Sequence, residues 1–129
     1  MNKIRIALIA HDGKKADMVH FLRGFSDALH SSEIELVATG TTGSHIKKAG
    51  FEVECLLSGP YGGDAQIAAL AAEKKLAAVI FLRDPLDKHP HEPDVQMLMR
   101  ICDVHNIPLA TNPASAALLF KALTQTYGT

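Results

Sequence analysis

The chain has 129 residues, a length that suits one domain, because two smaller cores would each have too little apolar surface to bury. Its composition, 47% hydrophobic and 21% charged, is typical of a globular protein and excludes a disordered chain. A formal net charge of -1 gives no positive field for nucleic acid or an anionic membrane surface. We expect a single domain over residues 1–129, soluble and cytoplasmic, that binds neither nucleic acid nor membrane.

Five predicted strands, each followed by a predicted helix, occupy the chain. Ile4–Ala10 is a short apolar run followed by charge, which indicates a strand rather than a signal peptide, and apolar residues then recur at helical spacing from Met18 to Leu29. Further strands are predicted at 35–39, 53–57, 77–82 and 108–110, and further helices at 43–50, 65–75, 94–105 and 114–123. Because parallel strands need crossover helices, this alternation predicts an α/β three-layer sandwich, a five-stranded, mostly parallel sheet flanked by helices.

The two cysteines give no sign of a disulfide or zinc framework. Cys55 and Cys102 are far apart in the sequence, and neither belongs to a CxxC pair. We expect both to be small, buried apolar side chains.

Polar and small residues cluster after the predicted strands, in the segments AHD, TGTTGS, SGPYGGD, RDPLDKHPHEPD and TNPAS. In an open α/β sheet, ligands bind outside the carboxyl ends of the strands, where helix N-termini offer free N–H groups. The five segments therefore predict one shared pocket.

The segment from Thr39 to Gly43 places three hydroxyls and two glycines in a strand-to-helix turn. Its backbone N–H groups and hydroxyls are suited to a phosphate. The alternative is a tight turn in which a threonine caps the next helix. The spacing matches neither GxGxxG nor GxxxxGK[ST], which disfavours a dinucleotide or NTP loop.

A second loop, with Ser58 and Gly59 at its start and Asp64 at its end, combines anion donors with a possible base. The alternative for Asp64 is a helix N-cap, which is common for Asp after glycines.

His11, Asp12 and two lysines follow the first predicted strand. Lys15 is the better candidate for a charge partner of phosphate, since a lysine near a helix N-terminus opposes the helix dipole and suggests a role elsewhere. The alternative is that both lysines are simply solvated.

A further group of titratable residues, Asp84, His89, His91 and Asp94, surrounds a loop before a helix opened by Pro93. His89-x-His91 with Asp94 also admits a metal site, but the loop is punctuated by prolines and no other ligand cluster accompanies it. Asp94 alone is equally typical of a first-turn carboxylate that complements the helix dipole.

Six segments, in this order, resemble the signature segments of methylglyoxal synthases: AHDGKK, ATGTTGS, LSGPYGGDAQI, RDPL, PHEPDVQ and IPLATN. The resemblance extends from about Ile4 to Ala114. It implies a reaction without metal or cofactor, in which a carboxylate takes a proton from C3 of dihydroxyacetone phosphate and the resulting enediolate expels phosphate.

The resemblance also implies roles for individual residues. Asp64 matches the catalytic base, His91 a histidine near the substrate oxygens, and Asp94 a further active-site carboxylate. The remaining matches are to phosphate-binding and supporting positions: Lys15, Thr39, Gly40, Thr41, Thr42, Ser58 and Gly59, with His11, Asp12 and Asp84. The family further implies a homohexamer inhibited by phosphate, with Arg100 matching an arginine that connects active sites.

Two other functions use similar residues. One is a phosphate- or nucleotide-sensing regulatory module of the same fold, which keeps the anion pocket without elimination. The other is an isomerase of a small sugar phosphate, which shares the enediolate and is separated only by its product.

Overall fold

The computed structural model describes residues 3–30, 33–86 and 93–127. The strands are β1 Ile4–Ala10, β2 Ile34–Ala38, β3 Glu54–Cys55, β4 Ala78–Leu82 and β5 Leu109–Ala110. The helices are α1 Lys15–Arg23, α2 Ser26–Leu29, α3 Gly40–Lys48, α4 Gly63–Ala72, α5 Pro93–His105 and α6 Pro113–Tyr127. Short 3-10 turns, Asp12–Lys14 and Gly59–Tyr61, precede α1 and α4. Within these ranges, no helix combines the length and apolarity that a membrane span requires.

The five strands form one sheet in the order β3-β2-β1-β4-β5, and every pairing in it is parallel. This confirms the predicted α/β sandwich. The chain moves outward from β1 through β2 to β3, then crosses to the other side of β1 for β4 and β5. The order therefore reverses between β1 and β4, and ligands bind at the carboxyl ends of strands beside such a reversal.

Alternate residues of β1 enter two separate cores. Ile6 and Leu8 pack in the core under α1, α3 and α6, which includes Met18, Ile46 and Phe120. Ala7 and Ile9 face the opposite core, under α4 and α5, which includes Ile67 and Leu98. Because side chains of a strand alternate between faces, a continuous apolar strand is the sequence sign of a sheet covered on both sides.

The predicted helix from Met18 to Leu29 is wrong as one element, because it breaks after Arg23. Gly24 and Phe25 donate to Phe21 and Leu22, three residues back, which tightens the chain into a turn before α2. Phe25 and Leu29 still pack against the core. The apolar spacing therefore continues through the break and conceals it.

The expectation for Cys102 is confirmed and the one for Cys55 is wrong. Cys102 is buried on α5, and burial, with a smaller contribution from the Asp103 charge, raises the pKa of its thiol to about 11. Cys55 is exposed because β3 is an edge strand of only two residues. Its sulfur lies against the backbone of Gly43, where an added Cβ would be 2.5 Å away.

Candidate active site

A cavity of about 560 Å³ opens at the carboxyl ends of β1, β2 and β4, beside the reversal of strand order. Loops from different parts of the chain converge on it. The predicted site residues that line it are His11, Asp12, Lys15, Thr39, Thr41, Thr42, Gly59 and Asp64.

Thr42 connects the end of β1 to helix α3. Its Oγ1 accepts a hydrogen bond from the Ala10 N–H at 3.2 Å and lies 3.5 Å from the Ala10 carbonyl, to which it donates. The backbone pairing of β1 with β2 has ended by this point, with Leu8 opposite Ala38 and the Thr39 N–H bonded to Leu8. The Thr42 hydroxyl thus takes the place of a strand partner, and its buried side chain positions the chain that continues into His11.

The N-terminus of α3 points its donors at the cavity. Thr39 occupies the N-cap position but makes no capping hydrogen bond, so the capping alternative is wrong for its side chain. Its hydroxyl lies 3.4 Å from the Thr42 hydroxyl instead. The Gly40 N–H donates to a carbonyl outside the helix, and the Gly43 N–H donates to the Thr39 carbonyl. The amides of Thr41 and Thr42 therefore have no acceptor inside α3, the whole of which is described. Such amides suit an anion.

The second loop packs against the first through glycines. Gly40 donates to the Leu57 carbonyl at 3.1 Å, and an added Cβ on Gly40 would lie 3.0 Å from the Ser58 amide nitrogen. A Cβ on Gly63 would overlap the Leu57 carbonyl. Gly40 and Ser58 do not line the cavity. Ser58 leads directly into Gly59, which does line it.

Asp64 lies in the first turn of α4 with its carboxylate toward the second loop. Helix α4 begins at Gly63 and its N-cap is Gly62, so the N-cap alternative for Asp64 is wrong. A Cβ on Gly59 would be 3.6 and 3.7 Å from the two carboxylate oxygens of Asp64. Gly62 has a φ of 106°, in the left-handed region that favours glycine, and this turn aims the first residues of α4 at the cavity.

Lys15 is buried, with 7% of its surface exposed, so the solvated alternative is wrong for this lysine. Its Nζ pairs with Asp12 Oδ1 at 2.5 Å, and the Asp12 side chain is largely exposed. Lys14, in contrast, is half-buried and forms an ion pair of 3.7 Å with Asp17. A buried ammonium with one carboxylate partner, lining a cavity, is suited to an anionic ligand.

His11 is held by the loop that follows β4. Its Nδ1 accepts a hydrogen bond from the Asp84 backbone N–H at 3.0 Å, and its ring meets Phe81 edge-on at 5.2 Å between centroids. Since Nδ1 is an acceptor, the neutral ring carries its proton on Nε2. Asp84 is not a lining residue; its Oδ1 accepts from the Leu86 N–H at 3.2 Å.

The remaining predicted residues are His89, His91, Asp94 and Arg100. His89 and His91 lie outside the described residues, and for Asp94 only the backbone, in α5, is described. Arg100 is exposed on α5 and does not line the cavity. In the parts of the chain that are described, no three His, Cys, Asp or Glu side chains gather as metal ligands.

The sequence reasoning missed the apolar part of the cavity. Phe81, Val95 and Met97 line it together with Ile9 and other small or apolar residues. Phe81 is indistinguishable in sequence from the other buried residues of β4, and Val95 and Met97 each begin a helical apolar series of α5, Val95 with Leu98 and Met97 with Ile101. Only the meeting of β4 with α5 at this edge of the sheet reveals their place.

Comparison with known proteins agrees with this arrangement. Residues 17–111 match the family model described as MGS-like domain. A methylglyoxal synthase of Cupriavidus taiwanensis is 54% identical over 127 residues, covering 98% of this chain and 94% of that protein. One from Bacillus velezensis is 57% identical over 121 residues, covering 93% and 87%. The chain belongs to the methylglyoxal synthase family.

The fold agrees with the family as well. The crystal structure of methylglyoxal synthase from Elizabethkingia anophelis NUHP1 superposes with a TM-score of 0.84 at 40% identity, covering 91% of this chain and 76% of that one. The Cupriavidus and Bacillus relatives are synthases matched over 94% and 87% of their own length. The regulatory-module alternative is therefore not favoured.

Proposed function

We propose that this chain converts dihydroxyacetone phosphate into methylglyoxal and inorganic phosphate. The observation that carries the proposal is the meeting of three groups in one cavity: the buried Lys15 ammonium, the N-terminus of α3 and the Asp64 carboxylate. Two of these suit a phosphate, and the third suits proton transfer. Membership in the methylglyoxal synthase family supports the same substrate and product.

In this proposal, the phosphate group lies between the two glycine-containing loops. The amides at the N-terminus of α3, the Thr41 hydroxyl and the Ser58–Gly59 turn donate to its oxygens, Thr39 and Thr42 line the same pocket, and Lys15 supplies the positive charge. Asp12 holds the ammonium toward the cavity through its ion pair. Because these donors are fixed before substrate arrives, they also stabilise the charge on phosphate as it leaves.

Asp64 acts as the base. Its carboxylate takes a proton from C3, and the C–H electron pair forms the C2–C3 double bond of an enediolate while charge passes to the C2 oxygen. The C2 oxygen then gains a proton. As the C3 hydroxyl loses its proton, the C3 aldehyde forms, the double bond moves from C2–C3 to C1–C2, and the C1–O bond to phosphate breaks. A proton added at C1 of this enol, with loss of the proton from its C2 hydroxyl, gives methylglyoxal.

Hydrogen-bond donors at the substrate oxygens complete the site. We assign the His11 Nε2–H to one of them, because the Asp84 amide holds the ring with Nδ1 as acceptor. His91 is proposed to shuttle protons between the oxygens, with Asp94 as a further carboxylate. Elimination rather than isomerisation then requires the C1–O bond to lie out of the enediolate plane.

The test is an assay, with chelator present, that measures methylglyoxal and phosphate release together for the wild type and Asp64→Asn. We expect both products from the wild type. The variant should keep phosphate binding, because it retains the anion donors, and lose turnover by about a hundredfold or more, since it lacks the carboxylate that takes the C3 proton. Phosphate binding without any product would instead indicate a regulatory module, and a triose phosphate product would indicate an isomerase.

We also propose that inorganic phosphate inhibits the enzyme, because it fits the site of the departing group. A cytoplasmic homohexamer, with Arg100 connecting its active sites, is proposed from the family resemblance. Sedimentation of the purified protein tests the hexamer, and Arg100→Ala should weaken any cooperativity of phosphate inhibition.

A further inference from the structure

Gln66 is exposed on α4, two residues after Asp64; it falls within the segment LSGPYGGDAQI, but the sequence assigns it no role of its own. In the structure its Oε1 accepts a hydrogen bond from the Leu57 backbone N–H at 2.9 Å. Leu57 leads from the end of β3 into the Ser58–Gly59 turn. The bond therefore joins the helix that carries Asp64 to the turn proposed to bind phosphate.

The direction of the Leu57 amide explains why it needs this partner. The preceding residue, Leu56, donates inward to Ala38 of β2 at 2.8 Å. Successive amides of an extended chain point to opposite sides, so the Leu57 N–H points away from the sheet. β3 is an edge strand, and the described sheet has no further strand there to accept this bond. The Gln66 side chain supplies the acceptor instead.

Leu57 is also fixed through its carbonyl. The Leu57 carbonyl accepts from Gly40 at 3.1 Å, and Gly63 packs against that carbonyl without room for a side chain. Gln66 therefore completes a set of contacts around one residue, Leu57. Without it, the Leu56 bond to β2 and the contacts of the Leu57 carbonyl remain, but the Leu57 N–H loses its link to α4.

We propose that Gln66 is a positioning residue, which sets the Ser58–Gly59 turn relative to Asp64 for the phosphate group of the substrate. The proposal rests on the proposed function, since it needs that turn to bind phosphate. The bond is exposed, so water can replace it with little loss of stability. The effect of losing it falls on the fixed orientation of the turn, on which binding and proton transfer both depend.

Two variants and a control test this role. Gln66→Met keeps the size of the side chain and removes the acceptor, whereas Gln66→Glu keeps an acceptor oxygen at the same distance from the backbone. Ala69→Met places a methionine at another exposed position of the same helix. For each variant, KM and kcat for dihydroxyacetone phosphate, the inhibition constant of inorganic phosphate and the unfolding temperature are measured.

We expect Gln66→Met to raise KM and the phosphate inhibition constant by about three- to tenfold, the effect of one hydrogen bond. kcat should change less, and the unfolding temperature should stay near that of the wild type. Gln66→Glu should recover most of the lost binding, and Ala69→Met should match the wild type.

Three results would overturn the proposal. The first is that Gln66→Met has the KM and phosphate inhibition of the wild type, which would refute the role of Gln66 and leave the proposed function standing. Another is Gln66→Glu as impaired as Gln66→Met, which assigns the effect to something other than the acceptor. The third is a wild-type enzyme that phosphate does not inhibit, which removes the phosphate pocket and this proposal with it.

Discussion

Neighbouring threonines of the α3 turn should behave oppositely when each loses its hydroxyl. The Thr42 side chain is 1% exposed and its hydroxyl bonds to the Ala10 amide and carbonyl, whereas Thr41 is exposed and faces the cavity. Thr42→Val keeps the shape but leaves the Ala10 groups without that partner. Leaving buried polar groups unsatisfied costs about 1–3 kcal/mol, so this variant should lose about that much free energy of unfolding.

Thr41→Val should show the reverse pattern. Its side chain is exposed, and a surface change of this kind alters the free energy of unfolding by about 0.5 kcal/mol or less. Its hydroxyl is proposed to donate to a charged phosphate, and such a bond contributes about 1.5–3 kcal/mol, or about tenfold or more in affinity. The phosphate inhibition constant and KM should rise accordingly.

Urea unfolding followed by circular dichroism measures the first effect, at one protein concentration for all variants, because assembly adds to apparent stability. Inhibition by phosphate measures the second. Thr42→Ser is the matched control, since it keeps the hydroxyl and should keep most of the stability. Thr42→Val as stable as the wild type, or Thr41→Val as the less stable of the two variants, would refute the assignment.

Two further predictions concern glycine packing and the cysteines. Gly63→Ala should destabilise the protein strongly and impair activity, because the new Cβ overlaps the Leu57 carbonyl. Gly24→Ala is the control and should have a mild effect, because its Cβ meets only one backbone oxygen, at 3.3 Å. Urea unfolding compares the two variants. Iodoacetamide at pH 8 should label the exposed Cys55 and spare Cys102, whose pKa of about 11 keeps it a buried thiol, as mass spectrometry will show. Because that pKa is raised above its ordinary value of 9.0, the folded thiol keeps its proton where the unfolded one loses it, so its contribution to stability falls as the pH rises from 9 to 11.

The fold was predictable from the sequence because its signals are local. The apolar runs of β1 and β4 are buried on both faces, and such strands read as continuous rather than alternating. The break at Gly24 was not predictable, since Phe25 beyond it still contacts the core and preserves the helical spacing. The exposure of Cys55 was not predictable either, because it depends on β3 lying at the edge of the sheet, and strand order is a property of the whole chain.

The types of residue in the site were predictable from the sequence, but the separate role of each residue was not. Hydroxyls and glycines after a strand indicate an anion turn, and the structure brings most of them to one cavity. The sequence does not distinguish Thr41 from Thr42, because only the tertiary structure shows that the Thr42 hydroxyl is already hydrogen-bonded to Ala10. Gln66 lies in the segment LSGPYGGDAQI, but the sequence gives no role to its side chain, since an exposed glutamine on a helix is typical of an ordinary solvated surface.

The contacts around the cavity form a continuous chain that extends the sheet past the ends of its strands. Leu57 bonds to Gly40 across the β3 and β2 ends, Thr42 bonds to Ala10 across the β2 and β1 ends, and Asp84 bonds to His11 across the β1 and β4 ends. Each loop is thus fixed by the next through at least one backbone group. A site that must remove a carbon-bound proton and then accept charge on a departing phosphate gains most from donors that do not reorganise during the reaction. Parallel strands ending at the reversal between β1 and β4 supply such donors, because the loops meet there while still within hydrogen-bonding distance of one another.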